Sequence, residues 1–356
     1  MTAVSRKALT AALKTVAPAL PKATGLPALH GVHIDTGTGA VTCNNLDLAI
    51  TTTVPILDRD TDTGAVLLPA KVLTRIVGSM SGETVHLSDP DERGDVTVKC
   101  GRTKATLPTI PTGDWFAPGD IKQGATFTLT AGDADRIRRV LHAASVDKTR
   151  AGLCGVHLTG NLAQATDSSR LAQVELDGTD QLPGVVVPTE ALRAALGDAE
   201  SQLVMVTDGR RAALSNGDTT WTTTLIDCDG GYPSFDRLLR DSSDINVTVN
   251  VADLLDALHR LAALGPIDPL STPRFTSDGD TLTITRRMQD VGAITDQVDC
   301  AGDKLTDQVA LNLAYLVDLL EQVDADDVTL GFVDPLKPVL VAEDRFVGLL
   351  MPVRVG

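Results

Sequence analysis

The segment VVVPTEALRAALGDA at residues 185–199 joins a run of β-branched residues to a proline and an amphipathic helix pattern. The segments VLLPAKVLTRIVGSM (66–80) and VALNLAYLVDLLEQV (309–323) have the same form. Pro69 precedes Pro188 by 119 residues, and Pro188 precedes Asn312 by 124. Proline favours the first helical turn because its fixed φ suits the helix and its missing N–H is not needed there. The spacing predicts an internal repeat of about 120 residues.

An earlier amphipathic helix is predicted in each unit, at residues 5–16, 133–143 and 251–263. Apolar residues recur there at three- or four-residue intervals, as one face of a helix requires. Alternating strand patterns with turn signals, such as VHIDTGTGAVTCNN (32–45), lie between the helices. The sequence therefore predicts an α+β protein of three repeated domains, with boundaries at 1–120, 121–242 and 243–356.

The charge is distributed unevenly along a chain whose formal net charge is −16. Residues 1–120 carry 11 basic and 12 acidic side chains, whereas residues 243–356 carry 8 and 19. No apolar stretch reaches the roughly 18 residues of a membrane helix, and the polar N-terminal segment does not have the form of a signal peptide. We therefore expect a cytoplasmic protein that can still present a local basic surface.

Features of an enzyme or a metal protein are absent from the sequence. It contains no G-x-x-x-x-G-K-[ST], G-x-G-x-x-G, G-x-S-x-G or H-E-x-x-H pattern. The five cysteines are widely spaced, so we expect reduced, mostly buried thiols, neither a zinc site nor a disulfide framework. We predict no catalytic residues, no metal and no cofactor, with an uncharacterised α+β enzyme as the alternative class.

Several motifs along the chain resemble those of one protein family. TDSSRLA (166–172) is similar to T-D-G-H-R-L-A, and DGGYPSFDRLL (229–239) to D-G-x-[FY]-P-x-Y-x-x-[LV]. LNLAYL (311–316) is similar to F-N-x-x-Y-[LV], and LLMPVR (349–354) to V-[VIL]-M-P-[MV]-R. In this order and spacing, the motifs resemble the β subunit of bacterial DNA polymerase III, the sliding clamp.

The resemblance implies a DNA clamp fold with two inner helices and outer antiparallel sheets in each domain. Two subunits would join head to tail into a ring that encircles duplex DNA, slides without sequence readout and keeps a polymerase on its template. The partners implied are double-stranded DNA, a replicative polymerase, the clamp loader, repair proteins and a second copy of the chain. No chemistry is implied.

The resemblance also assigns a hydrophobic groove that receives short peptide motifs of partner proteins, with the chain's last residues as one wall. The family's Gly-His pair is replaced by Ser168 and Ser169, and an aromatic near Arg150 by Gly152, which predicts a smaller, more open pocket. The implied groove residues are Arg150, Leu153, Thr166, Arg170, Leu171, Pro233, Arg237, Leu238, Asn312, Tyr315, Leu349, Leu350, Met351, Pro352 and Arg354.

Basic side chains on the polar faces of the predicted helices indicate a DNA-facing lining, because phosphates attract lysine and arginine without base readout. These residues are Arg6, Lys7, Lys14, Lys71, Arg75, Arg136, Arg138, Arg139 and Arg193, and Lys22, which follows the first predicted helix, is predicted to join them. The resemblance implies a heterologous dimer interface that joins Arg102, Lys104 and Leu107 to Ala263 and Leu264. Ala105 stands where the family has an aromatic.

The sequence leaves the role of the chain within the family open. It is compatible with a principal chromosomal clamp, a second copy, or one of the divergent clamps that actinobacteria and their phages carry. The groove departures favour an altered partner preference in the last two cases.

Overall fold

The computed structural model describes residues 1–59, 64–119, 121, 123–178, 181–197, 202–228, 230–235, 238–239, 243–266 and 272–354. They form two compact units, one of residues 1–131 with 190–225 and the other of 132–189 with 226–356. Both units contain strands from the predicted middle repeat, because strands of neighbouring repeats share a sheet. The predicted domain boundaries at 120 and 242 stay a prediction.

Helices occur at all six predicted positions, and their starts show how the sequence places them. Ser5, Asn250 and Asn312 cap three of them by accepting backbone N–H groups of the first turn. The helices are α1 Arg6–Val16, α2 Ala70–Ser79, α3 Ala131–Val140, α4 Thr189–Leu196, α5 Val251–Ala262 and α6 Leu313–Leu320.

The two repeat prolines lie just before their helices, which corrects the prediction of a first-turn position. Pro69 is the N-cap residue of α2, and Pro188 ends the strand before α4. Each is paired with a glycine on the neighbouring strand, Gly31 and Gly155 respectively. Sheet pairing therefore extends one residue further than the helix pattern suggested.

Twenty-five strands account for most of the remaining described structure. They are β1 Thr2–Ser5, β2 Gly31–Asp35, β3 Ala40–Asn44, β4 Leu48–Thr53, β5 Ile56–Arg59, β6 Ala65–Pro69, β7 Thr84–Leu87, β8 Asp95–Cys100, β9 Thr103–Pro108, β10 Ala125–Leu129, β11 Gly155–Gly160, β12 Leu162–Thr166, β13 Arg170–Glu175, β14 Leu182–Pro188, β15 Leu203–Thr207, β16 Arg211–Ser215, β17 Thr219–Thr224, β18 Ile245–Asn250, β19 Arg274–Ser277, β20 Thr281–Met288, β21 Gly292–Gly302, β22 Leu305–Ala310, β23 Asp327–Phe332, β24 Val339–Glu343 and β25 Phe346–Leu350.

The first unit contains two antiparallel sheets. Their strand orders are β5-β1-β7-β8-β9 and β10-β15-β16-β17-β4-β3-β2-β6. Helices α1 and α2 contact each other and bury Leu9, Leu13, Leu73 and Val77. The second sheet joins strands from two repeats where β17 pairs with β4.

The second unit is built on one antiparallel sheet of twelve strands. Its order is β14-β11-β12-β13-β25-β24-β23-β18-β21-β20-β19-β22. Helices α5 and α6 contact each other, and their buried faces are rich in leucine. Here β13 of the middle repeat pairs with β25, the last strand of the described chain.

One four-strand order occurs three times in these sheets. It reads β4-β3-β2-β6 in the first repeat, β13-β12-β11-β14 in the second and β21-β20-β19-β22 in the third. Twice, a strand from the next repeat pairs with the first strand of this set: β17 with β4, and β25 with β13. The internal repeat predicted from the helices therefore extends to the strand topology.

Candidate peptide-binding groove

Strand β25 presents different faces to the core and to the candidate groove. Gly348 faces α6, because a Cβ on this residue would lie 2.1 Å from Leu319 Cδ1. Successive side chains of a strand alternate, so Leu350 shares this inner face and Leu349 points the other way. Both leucines are 3% exposed. Of the two β25 leucines predicted for the groove, the strand places only Leu349 on the face away from α6.

A hydrophobic cluster surrounds Leu349. Leu171 lies opposite it across the β13–β25 pair, and Phe235 completes a buried trio. Tyr232 and Leu239 pack against this trio, and the Tyr232 ring stacks on His157 at a centroid distance of 4.6 Å. Burial raises the pKa of the Tyr232 hydroxyl. The cluster is a buried apolar layer beneath the candidate groove.

An open pocket of about 240 Å³ adjoins this cluster. Its volume suits one large apolar side chain, and Met351, 39% exposed, follows directly after the strand that forms its wall. Sequence reasoning named only two of its lining residues. The pocket is lined by Leu238, Ser243, Gly331, Val333, Lys337, Pro338, Leu340 and Leu349.

Arg170 is held by three contacts within the second unit. Its Nε donates to Asp167 at 3.0 Å and its Nη1 to Asp318 at 2.6 Å. Its guanidinium carbon also lies 4.1 Å from the centre of the Tyr315 ring. Arg170 and Tyr315 are therefore brought together as predicted, and the arginine charge is compensated by two carboxylates.

The turn before Arg170 positions the end of β25. The Thr166 hydroxyl donates to the Arg170 carbonyl at 2.6 Å and accepts the Ser168 N–H at 3.1 Å. Ser168 has a φ of +78°, a left-handed conformation that glycine adopts at lower cost. The Met351 N–H donates to the Ser169 carbonyl at 2.8 Å. This bond ties the chain's last residues to the turn.

A 3-10 turn at Lys148–Leu153 lies beside this region. Arg150 Nη1 donates to the Asp167 carbonyl at 3.3 Å. A Cβ at Gly152 would lie 3.2 Å from Cys228 Sγ.

The five cysteines differ in burial. Cys43 and Cys100 are buried, whereas Cys154, Cys228 and Cys300 are half-buried. The prediction that most of the thiols are buried was therefore wrong.

The remaining predicted groove residues differ in their contacts and in their exposure to solvent. The Asn312 side chain accepts the Tyr315 N–H, so it serves as a helix cap. Leu153 and Pro352 are half-buried, whereas Pro233, Leu238 and Arg354 are exposed. Arg237 lies outside the described residues. Sequence reasoning missed Tyr232 and Phe235, although both stand in the quoted DGGYPSFDRLL motif, and missed Val333, Lys337 and Leu340, which no motif marked.

The basic residues predicted to face DNA have two different environments. Arg136 pairs with Asp177, Arg138 with Asp135, and Arg139 with Glu343 and Asp324. Arg6 donates to the Gly82 carbonyl. Each of the three α3 arginines is therefore paired with at least one carboxylate, and their role as DNA contacts stays a prediction. The exposed members are Lys7, Lys14, Lys22, Lys71, Arg75 and Arg193.

The residues predicted for the dimer interface lie on or near two strand edges of the protein. In the described residues, β9 pairs with β8 alone, and residues 292–299 of β21 pair with β20 alone. Arg102 and Lys104 are exposed on the β9 side, and Leu107 is buried. Ala263 and Leu264 follow the end of α5, a helix that packs against β21.

The fold defines a class of protein: a DNA clamp built from repeated α+β units, with an open pocket of about 240 Å³ beside its last strand. Family comparison agrees. The N-terminal domain of the DNA polymerase III beta subunit family matches residues 2–117, and its C-terminal domain matches residues 236–354. The chain belongs to the DNA polymerase III beta subunit family, the sliding clamps, which are processivity factors of DNA polymerase.

Individual relatives extend the match over nearly the full chain. The beta sliding clamp of Lactococcus lactis is 23% identical over 99% of this chain and 98% of its own. The solved sliding clamp of Caulobacter crescentus superposes with a TM-score of 0.90 at 22% identity, over 99% of both chains. A sliding clamp from Bartonella birtlesii bound to griselimycin gives 0.90 at 25% identity, also over 99% of both. The predicted clamp fold is confirmed.

Membrane-spanning helices and metal-ligand clusters are both absent from the described residues. No helix there has the length and apolar character needed to cross a membrane. No group of three or more His, Cys, Asp or Glu side chains in that part of the chain is arranged to hold a metal ion.

Proposed function

We propose that this processivity factor acts as a homodimeric ring around duplex DNA, without catalytic activity of its own, and docks polymerase, clamp loader and repair proteins through the groove beside β25. The observation that carries the proposal is the open pocket beside β25, which is lined by Leu238, Leu340 and Leu349 and backed by the buried cluster of Leu171, Phe235 and Leu349. An apolar pocket with a few polar neighbours is what a short linear motif requires. The cell compartment proposed is the cytoplasm.

Ring closure is supported by the repeated strand order. Within the chain, the last strand of one repeat pairs twice with the four-strand set of the repeat before it. These pairs are β17 with β4 and β25 with β13. Strand β9 and residues 292–299 of β21 are the corresponding edges that have no such neighbour in the described residues. A second copy would supply it. The edges differ in charge: Lys99, Arg102 and Lys104 lie on one side, and Asp290 and Asp299 on the other.

The exposed lysines and arginines of α1, α2 and α4 are the proposed DNA contacts. They are long, flexible cations on helices, which suits attraction to phosphates and not the reading of base edges. Binding through such contacts weakens steeply as salt rises. The α3 arginines contribute less, because each is already paired with a carboxylate.

Fluorescence anisotropy with a labelled Q-x-L-x-L/F peptide tests the groove. We expect the wild type to bind and the double variant Leu349→Ala/Met351→Ala to lose binding. Leu57→Ala, at a residue 59% exposed and outside the second unit, is the matched control and should bind normally. Circular dichroism verifies that all three proteins are folded. A folded wild type that binds no such peptide would refute the groove as the docking site.

Retention on DNA tests the ring separately. After loading by a clamp loader, the protein should stay on circular DNA and slide off the same DNA once it is linearised. Sedimentation should show a dimer that Lys99→Glu/Lys104→Glu weakens. Equal retention on both DNA forms would contradict encirclement.

A divergent partner preference is the second candidate, and Ser168 and Gly152 are the observations that favour it. Complementation of a depleted chromosomal clamp distinguishes the cases. Growth rescue indicates a principal clamp, whereas no rescue by a protein that still forms the ring indicates a specialised copy.

A further inference from the structure

The side chain of Arg286 in β20 is completely shielded from solvent. It follows Leu282 and Ile284 on the buried face of the strand, and it is the largest fully buried side chain of the described residues. Arginine is almost never fully buried unless its charge is compensated, because taking a cation out of water is costly. A buried arginine in a row of apolar residues therefore needs a structural or functional reason.

The guanidinium of Arg286 binds the end of α5 and the segment that follows this helix. Its Nη1 donates to the Leu261 carbonyl at 2.8 Å, and its Nη2 donates to the Pro266 carbonyl at 2.6 Å. The last four carbonyls of a helix have no partner within the helix and carry its partial negative charge, which favours a cation there. Arg286 therefore fixes residues 262–265 at both of their ends.

The segment held by Arg286 contains two residues predicted for the dimer interface. Ala263 is exposed and Leu264 is half-buried. Gly265 has a φ of +137°, and a Cβ there would lie 3.2 Å from Met288 Sδ, so the segment lies against the end of β20. Met288 is paired with Gly292, the first residue of the unpaired edge of β21. The segment and this edge are therefore neighbours.

A second arginine fixes the edge strand to the same helix. Arg260 of α5 pairs through its Nε with Asp296, which lies within the edge residues 292–299 of β21. Ile294, two residues before Asp296, is half-buried and lies opposite Arg286 across the β20–β21 pair. The two arginines thus hold α5, the segment after it and the edge of β21 together. Because Arg286 is fully buried, it acts on a second copy only through the residues that it holds.

We propose that Arg286 is a positioning residue for the ring interface, which holds residues 262–266 so that Ala263 and Leu264 are already in place when a second copy of the chain binds. The inference rests on the proposed homodimer and assigns part of its affinity to a residue buried within one subunit. A segment that is loose before association must be ordered when the dimer forms, and this weakens binding. Loss of the two Arg286 hydrogen bonds should therefore raise the dimer Kd roughly tenfold or more.

Fluorescence-detected sedimentation over a dilution series measures the dimer Kd of the wild type and four variants. Arg286→Met forms neither hydrogen bond, and Arg286→Lys keeps the charge without the planar fork that reaches two carbonyls. Arg287→Met, at an exposed residue on the other face of β20, is the matched control for charge. Ile284→Val, on the same buried face as Arg286, is the control for core stability. Circular dichroism sets a temperature at which each protein is folded.

The Kd should rise roughly tenfold or more in Arg286→Met, less in Arg286→Lys, and stay at the wild-type value in both controls. In the dissociated monomer, hydrogen exchange of the amides of residues 263–265 should be faster in Arg286→Met than in the wild type.

An unchanged Kd or unchanged exchange in folded Arg286→Met would overturn the inference while leaving the dimer intact. An equal rise of the Kd in Ile284→Val would do the same, because it would show a general effect of core stability. If Arg286→Met does not fold, Arg286→Lys decides, and a wild-type Kd in that variant overturns the inference. A wild type that stays monomeric at every concentration would refute the proposed ring, and the inference with it.

Discussion

Leu349 lies directly opposite Leu171 across β13 and β25, and each is 3% exposed. The two residues are 178 positions apart, yet they form one hydrophobic cluster with Phe235. Backbone pairing with β13 and β24 places β25 within the twelve-stranded sheet. Gly348 lies against α6 and Leu350 shares that face of the strand, whereas Leu349 lies on the other face. The same strand therefore stabilises the unit and forms a wall of the candidate groove.

Replacing Ser168 with glycine should stabilise the protein. Ser168 holds a φ of +78° and its side chain is exposed, so the substitution relieves backbone strain without removing a packed group. A left-handed residue costs roughly 1–2 kcal/mol, and glycine's greater unfolded-state entropy offsets part of this gain. We expect a net gain of about 0.5 kcal/mol in the free energy of unfolding, measured by urea denaturation.

The chain contains a matched control for this prediction. Residues 207–211 repeat the turn of residues 166–170: the Thr207 hydroxyl donates to Arg211 and accepts the N–H of Gly209. Gly209 has a φ of +83°, and a Cβ there would meet no atom within 4 Å. Gly209→Ala should therefore destabilise through backbone strain alone. An unchanged or lower stability of Ser168→Gly would show that the serine is not strained.

Two glycine-to-alanine substitutions should have opposite effects. At Gly348 the new methyl group would collide with Leu319, and overpacking of a core costs about 1–3 kcal/mol. At Gly78, within α2, the new Cβ would meet nothing within 4 Å, and alanine stabilises a helix by about 0.5–1 kcal/mol. Thermal unfolding of both variants measures the difference. Equal midpoints would contradict the close approach of β25 to α6.

Loss of the Arg170 charge should lower the free energy of unfolding more than loss of the charge on its partner Asp318. Arg170→Gln leaves Asp167 without its partner and removes the contact with Tyr315, so we expect a destabilisation of about 2–3 kcal/mol. Asp318 is 44% exposed, and Asp318→Asn should cost under about 1 kcal/mol. A double-mutant cycle by denaturant unfolding gives the coupling. A cost of Asp318→Asn equal to or above that of Arg170→Gln would refute this ranking.

Acidification should destabilise the protein through His142. Burial lowers the pKa of this imidazole from 6.5 to about 4, and its Nδ1 lies 2.9 Å from the Arg139 carbonyl oxygen. The unfolded chain binds the proton first, so the contribution is fully present above pH 6.5 and is lost as the pH falls toward 4. The loss amounts to roughly 3 kcal/mol by pH 4.

Unfolding free energies measured between pH 7 and 4 for the wild type and His142→Gln test this. The difference in unfolding free energy between the two proteins should change by roughly 3 kcal/mol between pH 7 and pH 4. The pKa of the Asp35 carboxyl is also lowered, but Asp35 is present in both proteins, so its effect cancels in their difference. Parallel pH profiles would show that His142 is protonated at no cost in the folded state.

The features that the sequence predicted correctly are those that depend on residues close together in the chain. The helix regions and strand patterns follow from the spacing of apolar residues, because each period is fixed by local backbone geometry. Caps such as Asn312 act over three residues and are equally local. The match of spaced motifs likewise led to the clamp family before any contact was known.

Only the tertiary structure decided strand register, charge compensation and the walls of the pocket, because these features depend on residues far apart in the chain. Sequence placed Arg139 on a polar helix face, but only the fold brings Glu343 within 2.6 Å of it and compensates its charge. The sequence named both leucines at the chain's end, and the pairing of β25 with β13 assigned them to opposite faces. Lys337 carried no motif and became part of a site only through its turn beside Leu349. Periodicity is a local property of the chain, whereas register, charge compensation and pocket walls are set by packing between distant segments.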